Sequence, residues 1–301
     1  MKLVTLVALA ALLASCAKPE ERKVAETRPP SDGLELVTAG TSNDRKPLRY
    51  HLQEGVKSPL ELVMDLELDA GGRGGKLPSL VMALEIAVED VLPDGAAKVR
   101  TTVVGASARE REGAVVTATM MGSMTSMLEG MTFTATLSGD GALRDSKVEM
   151  TKPVPPTMQS QVGQLTQNLE QVAMRLPDVP LGVGAKWTTR KTVAQNGLDM
   201  ITLTTVEITA IDGDRVTFTS TSTVTAPDQT VTEGGEVVSI KDVGGGGTGS
   251  GTIDLSRMTM AGEFTAEFRG MMSAKGQTAP MKMAMKMTMK PGVAQGAHKA
   301  P

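Results

Sequence analysis

Three stretches of this chain alternate apolar and polar residues with a period of two. Leu62, Met64, Leu66 and Leu68 are interleaved mostly with acids, at Asp65, Glu67 and Asp69. Leu80, Met82, Leu84, Ile86 and Val88 repeat the pattern, with Glu85 and Glu89 on the other face. Near the end, Met281, Met283, Met285, Met287 and Met289 alternate with Lys282, Ala284, Lys286, Thr288 and Lys290. Period two is the signature of a strand with one face in a core and the other in water. Further strands are expected at 98–106, 115–121, 131–137, up to Met150, 263–271 and 280–290. Gly-rich and Asp-Gly segments at 70–76, 93–95 and 139–141 supply the turns, since Gly accepts the positive φ of tight hairpins. The chain is therefore constrained to a large, mostly antiparallel sheet.

One stretch departs from this pattern. Met158, Val162, Leu165, Leu169, Val172 and Leu176 are spaced by four and three, which places them on one face of a helix. Pro155 and Pro156 suit its start and Pro177 its stop. The expectation is a long amphipathic helix over 156–176. Sheets of about ten or more twisted strands curl or close, and a helix with one apolar face needs such a surface. The fold class expected is mainly β (α+β), a large curved antiparallel sheet or half-barrel with the helix packed on its concave face.

Two alignments suggest duplication. Gly139–Met150 matches Gly249–Met260 without gaps, and the region around Pro93-Asp94-Gly95 matches that around Ile211-Asp212-Gly213. On this reading the β-rich domain 47–290 consists of repeats 47–152 and 184–290 joined by the helix, with 291–301 a loose tail.

The N-terminus carries Lys2, an apolar run from Leu3 to Leu13, and then Ala14-Ser15-Cys16. Residues 1–15 read as a signal peptide, whose apolar run is too short to span a bilayer. Leu13-Ala14-Ser15-Cys16 resembles the bacterial lipobox, in which the cysteine becomes the lipidated first residue of the mature protein. Cys16 is the only cysteine, so it has no internal disulfide partner. Ala17 in place of Asp at the next position implies, by the same resemblance, delivery to an outer membrane. Residues 16–46 are polar and Pro-interrupted and are expected to form a lipidated, disordered tether.

The segment Leu176-Pro177-Asp178-Val179-Pro180-Leu181-Gly182-Val183-Gly184-Ala185-Lys186-Trp187, together with the lipobox and the strand-rich halves, resembles an uncharacterised family of bacterial lipoproteins of about this length (301 residues). The layout also resembles the half-barrel of the lipoprotein-carrier class and its mycobacterial glycolipid-binding relatives. The first resemblance implies no activity; the second implies a concave face able to hold a lipid.

The chemistry of the remaining motifs is sparse. A net charge of −3 without a basic stripe excludes a nucleic-acid partner. Gly244-x-Gly246-x-x-Gly249 has the dinucleotide spacing, but the alternation that follows at 252–255 points to a hairpin loop, not to a helix that would hold a pyrophosphate. The two histidines, His51 and His298, supply neither a zinc site nor a triad, so no cofactor, metal site or enzymatic activity is expected. Aromatics make up 2 % of the chain and methionines number 21, so Met replaces rigid apolar side chains in the interior. The Met281–Met289 face, with a second group at Met120, Met121, Met124, Met127 and Met131, has three readings. It fills a core, it lines a surface for a hydrophobic ligand through Met281, Met283, Met285 and Met287, or it offers thioethers to Cu(I). Trp187, the sole tryptophan, is either a stacking platform for that ligand or a core plug. The functional expectation is a membrane-anchored envelope lipoprotein acting as a structural or interaction module, with an envelope protein as partner. The alternative is a carrier of lipid in a Met-lined concavity.

Overall fold

The structure, a computed structural model, describes residues 33–41, 43–151, 173–195, 198–233, 236–274 and 276–292. Fourteen strands form one antiparallel sheet. They are β1 (Gly33–Ala39), β2 (Lys57–Ala70), β3 (Arg73–Lys76), β4 (Ser79–Val91), β5 (Ala97–Arg109), β6 (Thr132–Leu137), β7 (Leu143–Glu149), β8 (Ala185–Gln195), β9 (Leu198–Asp212), β10 (Arg215–Thr225), β11 (Gln229–Glu233), β12 (Glu236–Asp254), β13 (Thr259–Ala274) and β14 (Gln277–Pro291). The order is β1-β8-β9-β10-β12-β13-β14-β2-β4-β5-β6-β7, with β11 on β12 and β3 on β2. The path does not close, so β1 and β7 are its edges.

The sheet is curled, and its core shows why. Trp187, Ile208 and Phe218 of β8, β9 and β10 share one buried cluster with Val99 of β5 and Phe133 and Leu137 of β6. In a flat sheet β9 and β6, eight places apart in the order, would be separated by roughly 38 Å at about 4.8 Å per strand. The inner face has therefore folded over on itself at one end, and two crossing segments plug the gap. Leu48, Tyr50 and Leu52 lie on one, and Met174, Leu176 and Leu181 on the other. Their backbones are satisfied across the plug, as buried polar groups must be. Tyr50 N–H donates to Gly139 O at 2.8 Å, His51 N–H to Leu255 O at 3.1 Å, and Leu176 N–H to Asp140 O at 2.8 Å. The Tyr50 hydroxyl donates to Met174 O at 3.2 Å, and Arg175 pairs with Asp140 at 2.9 Å. Burial alone pushes the Asp140 carboxyl up, but Ser138, the Ala142 N–H and Arg175 together hold it below its ordinary value.

Several expectations change. Residues up to 172 of the expected helix 156–176 lie outside the described residues, and its described end, 173–176, is not helical but buried irregular chain. Among the described residues the one helix is instead α1 (Ala118–Leu128), packed against β5, where the sequence suggested a strand over 115–121. The β-branched pair Val115-Val116 misleads there. The helix starts after it, where the Thr117 hydroxyl caps Met120 N–H at 3.3 Å and the helix formers Ala118, Met120 and Met121 stand in the first turn. Residues 33–41 and 43–46, expected in the tether, belong to the fold: β1 pairs with β8, and Lys46 exchanges backbone hydrogen bonds of 3.0 and 2.9 Å with Leu181. Cys16 and the rest of 1–32 lie outside the described residues.

The glycine tract at 244–251 is no loop. It lies inside β12, paired on both sides by β10 and β13. A Cβ on Gly245, Gly246 or Gly247 would come closer than 3.0 Å to a backbone carbonyl of a neighbouring strand, so only glycine permits this approach. The two proposed repeats also part company here, since 139–141 is a turn before β7 whereas 249–251 is mid-strand. The other aligned pair does coincide in structure: the β4–β5 and β9–β10 hairpins have turns at Gly95 (φ +82°) and Gly213 (φ +56°).

Candidate functional site

The period of two places the β14 methionines on the inner face, and the register supplies their neighbours. Residues directly opposed across an antiparallel pair share a face. Met283 lies between Phe268 of β13 and Leu68 of β2; Met285 between Ala266 and Leu66; Met287 between Phe264 and Met64. Met289 faces Leu62 on one side and Gly262 on the other. The rows continue into β4, where Met64 opposes Leu80 and Leu62 opposes Met82. The result is an apolar trough across β13, β14, β2 and β4. The outer face is held by charge. Lys290 pairs with Glu61 at 3.0 Å and Lys286 with Glu263 at 3.2 Å. These exposed pairs contribute little stability but fix which face turns inward.

Burial is graded along the trough. Met281, Met283, Met285 and Met287 are half-buried, whereas Met289 is 6 % exposed and packs with Leu60 and Ile86. Strands β9, β10 and β12 make a second, polar wall. Thr202 and Thr204 oppose Val224 and Ser222, and Ser220 and Ser222 oppose Gly249 and Gly247. The Phe264 ring lies over Gly249, where a Cβ would strike its edge. Phe264 also meets Phe218 with ring centroids 6.4 Å apart. This contact joins the trough to the packed end of the sheet.

Of the residues singled out from the sequence, Met281, Met283, Met285 and Met287 are brought together and Trp187 is not. Trp187 is fully buried in the packed end, opposite Val206 and Leu36. With no exposed surface it cannot stack on a ligand, so the platform reading is set aside and the core-plug reading holds. Met120, Met121 and Met127 belong to α1, with Met120 exposed, and Met131 is buried; they do not extend the β14 row. The residues missed from sequence are Phe264, Phe268, Met258 and Met260, whose alternation is weak around Gly262 and Gly270.

A cavity of about 500 Å³ lies elsewhere, at the notch where β14 ends, lined by Lys57, Arg215, Asp254 and Arg257 together with Pro59 and Pro291. Nearby, His51 Nε2 is 3.1 Å from Asp214 and its Nδ1 is 3.0 Å from Arg49 O. The Arg49 carbonyl, and after it the Asp214 carboxylate, raise the His51 pKa above its ordinary value. Among the described residues no three His, Cys, Asp or Glu side chains are grouped to hold a metal ion. No helix among them is long and apolar enough to cross a membrane. Compared with known protein families and with curated proteins, the sequence matches none.

Proposed function

We propose that this protein is an exported, non-enzymatic lipoprotein, anchored to a bacterial outer membrane through Cys16, whose trough holds one acyl chain of a lipid. The observation that carries the reading is that Met281, Met283, Met285 and Met287, with Met64, Leu66 and Leu68 of β2 and Phe264, Ala266 and Phe268 of β13, are half-buried, not packed shut. A face built only as core would be sealed along its length, as the Trp187 end is. The half-buried row from Met281 to Met287 is about 20 Å long at about 3.3 Å per residue. One acyl chain spans half of a hydrocarbon core about 30 Å thick, roughly 15 Å, so it fits lengthwise. Flexible thioether side chains suit chains of varied shape. The hydroxyls of Thr204, Ser220 and Ser222 on the facing wall suit the polar end of such a lipid.

Native mass spectrometry of the mature chain carrying Cys16→Ser, purified gently from a bacterial host, tests this. The expected result is a co-purified species of lipid mass that is lost in the Met283→Lys, Met285→Lys variant. A clean apo mass that added lipid leaves unchanged refutes it and favours the alternative, an envelope interaction module that acts through its surface toward a protein partner.

A further inference from the structure

Four methionines lie in or against one buried cluster at the closed end of the trough. Met289 packs in a cluster with Leu60 and Ile86, and against it lie Met258, Met260, Met287 and Phe264. The four thioethers come from three places in the chain: the β12–β13 turn, the first turn-proximal residues of β13, and the last inward positions of β14. Met258 adopts φ +54°, a left-handed conformation that is uncommon for a long side chain. It is held there by a 2.9 Å hydrogen bond from its N–H to Asp254 O. Gly262 stands opposite Met289 and Met260 is two residues before it, so no side chain separates those two thioethers across the strands.

We propose that Met258, Met260, Met287 and Met289 form a thioether site for a soft monovalent cation, Cu(I). Thioethers are soft ligands that select Cu(I) over hard divalent ions. Among the described residues no group of three His, Cys, Asp or Glu side chains competes as a site for a harder metal ion. Phe264, within the same cluster, adds a ring face or edge beside the ion. The single sequence run Met281–Met289 pointed at copper without a geometry, because strand neighbours of one chain segment are about 6.6 Å apart. The folded cluster adds Met258 and Met260 from another strand and turn, so thioethers of two chain segments share one apolar cluster. The site shares Met287 with the trough but not Met283 and Met285, which lie farther along β14.

The test uses the mature chain carrying Cys16→Ser, which removes the one competing thiol. The protein is titrated with Ag(I), and with Cu(I) under anaerobic conditions against a chromophoric Cu(I) chelator. The ¹³C-methyl spectrum of its methionines is followed throughout. The expected result is one ion per chain, with methyl shifts at Met258, Met260, Met287 and Met289. A Met258→Leu, Met260→Leu, Met287→Leu variant, close in volume and so tolerated by the core, should bind at least ten-fold more weakly while Trp187 fluorescence is unchanged. The Met283→Lys, Met285→Lys variant should lose lipid and keep Ag(I). Absence of stoichiometric binding overturns the proposal, as do shifts confined to methionines of α1. Because the methyl shifts are read on the otherwise native chain, misfolding of a variant does not protect the proposal.

Discussion

The glycine tract of β12 makes a sharp prediction because the same substitution should have opposite signs within one strand. At Gly247 an added Cβ would lie closer than 3.0 Å to the backbone carbonyl of Thr265 and 3.1 Å from Ala266 Cα. Neither atom can rotate away, so β12 and β13 must separate. Overpacking of this kind costs about 1–3 kcal/mol, and each ladder hydrogen bond lost adds about 1 kcal/mol. A total near 3 kcal/mol is expected. At Gly244 nothing lies within 4 Å and the backbone is not left-handed. Gly244→Ala should stabilise by about 0.4–1 kcal/mol through the unfolded chain. Gly249→Ala should fall between them, since its obstacles are the Phe264 ring and the Ser220 hydroxyl, both side chains. Urea unfolding followed by the fluorescence of the buried Trp187 measures all three. With an m-value of about 3 kcal/mol/M the Gly247 and Gly244 variants should differ in midpoint by about 1 M. Midpoints that coincide would mean that the tract is not there to let strands approach.

Three other outcomes follow from the same geometry. Trp187→Ala should cost about 3–5 kcal/mol by calorimetry, and Trp187→Phe markedly less, because the buried Nε1–H has no hydrogen-bond partner among the described residues and its removal relieves an unsatisfied donor. The raised His51 pKa means that its contribution to stability is fully present below the unfolded value of about 6.5 and is lost as the pH rises through the higher folded value; Asp214→Asn should flatten that dependence in melting curves taken from pH 5 to 9, within a small total effect since the ring is half exposed. Cys16→Ser should move the protein from the membrane to the soluble fraction on cell fractionation, and an unchanged distribution would remove the anchor assignment.

What could be read from the sequence is what depends on neighbours two residues apart. The inward positions of β2, β4 and β14 follow from alternation because each side chain there must choose a face. The rest depends on what alternation does not encode. Glycine has no side chain to alternate, so β12, the longest strand of the sheet, looked like a loop although its glycines are the reason β10 and β13 can approach it. Leu34 and Leu36 of β1 are too few to stand out against a polar stretch, and β1 is a strand because β8 offers it an edge. Thr117 marked the start of α1 only for a reader willing to discount Val115 and Val116, where propensity and the cap disagree. The candidate site divides in the same way. Met281 to Met287 were visible as a row because they lie on one strand, whereas the packing of Met287 and Met289 in one cluster with Met258 and Met260 needs the register of β13 against β14. Trp187 shows the converse: its chemistry suits both a platform and a plug, and the strand order decides between them. The curl that brings β6 over β9 is closed by residues 48–52 and 174–181, and the burial of Trp187 follows from that closure.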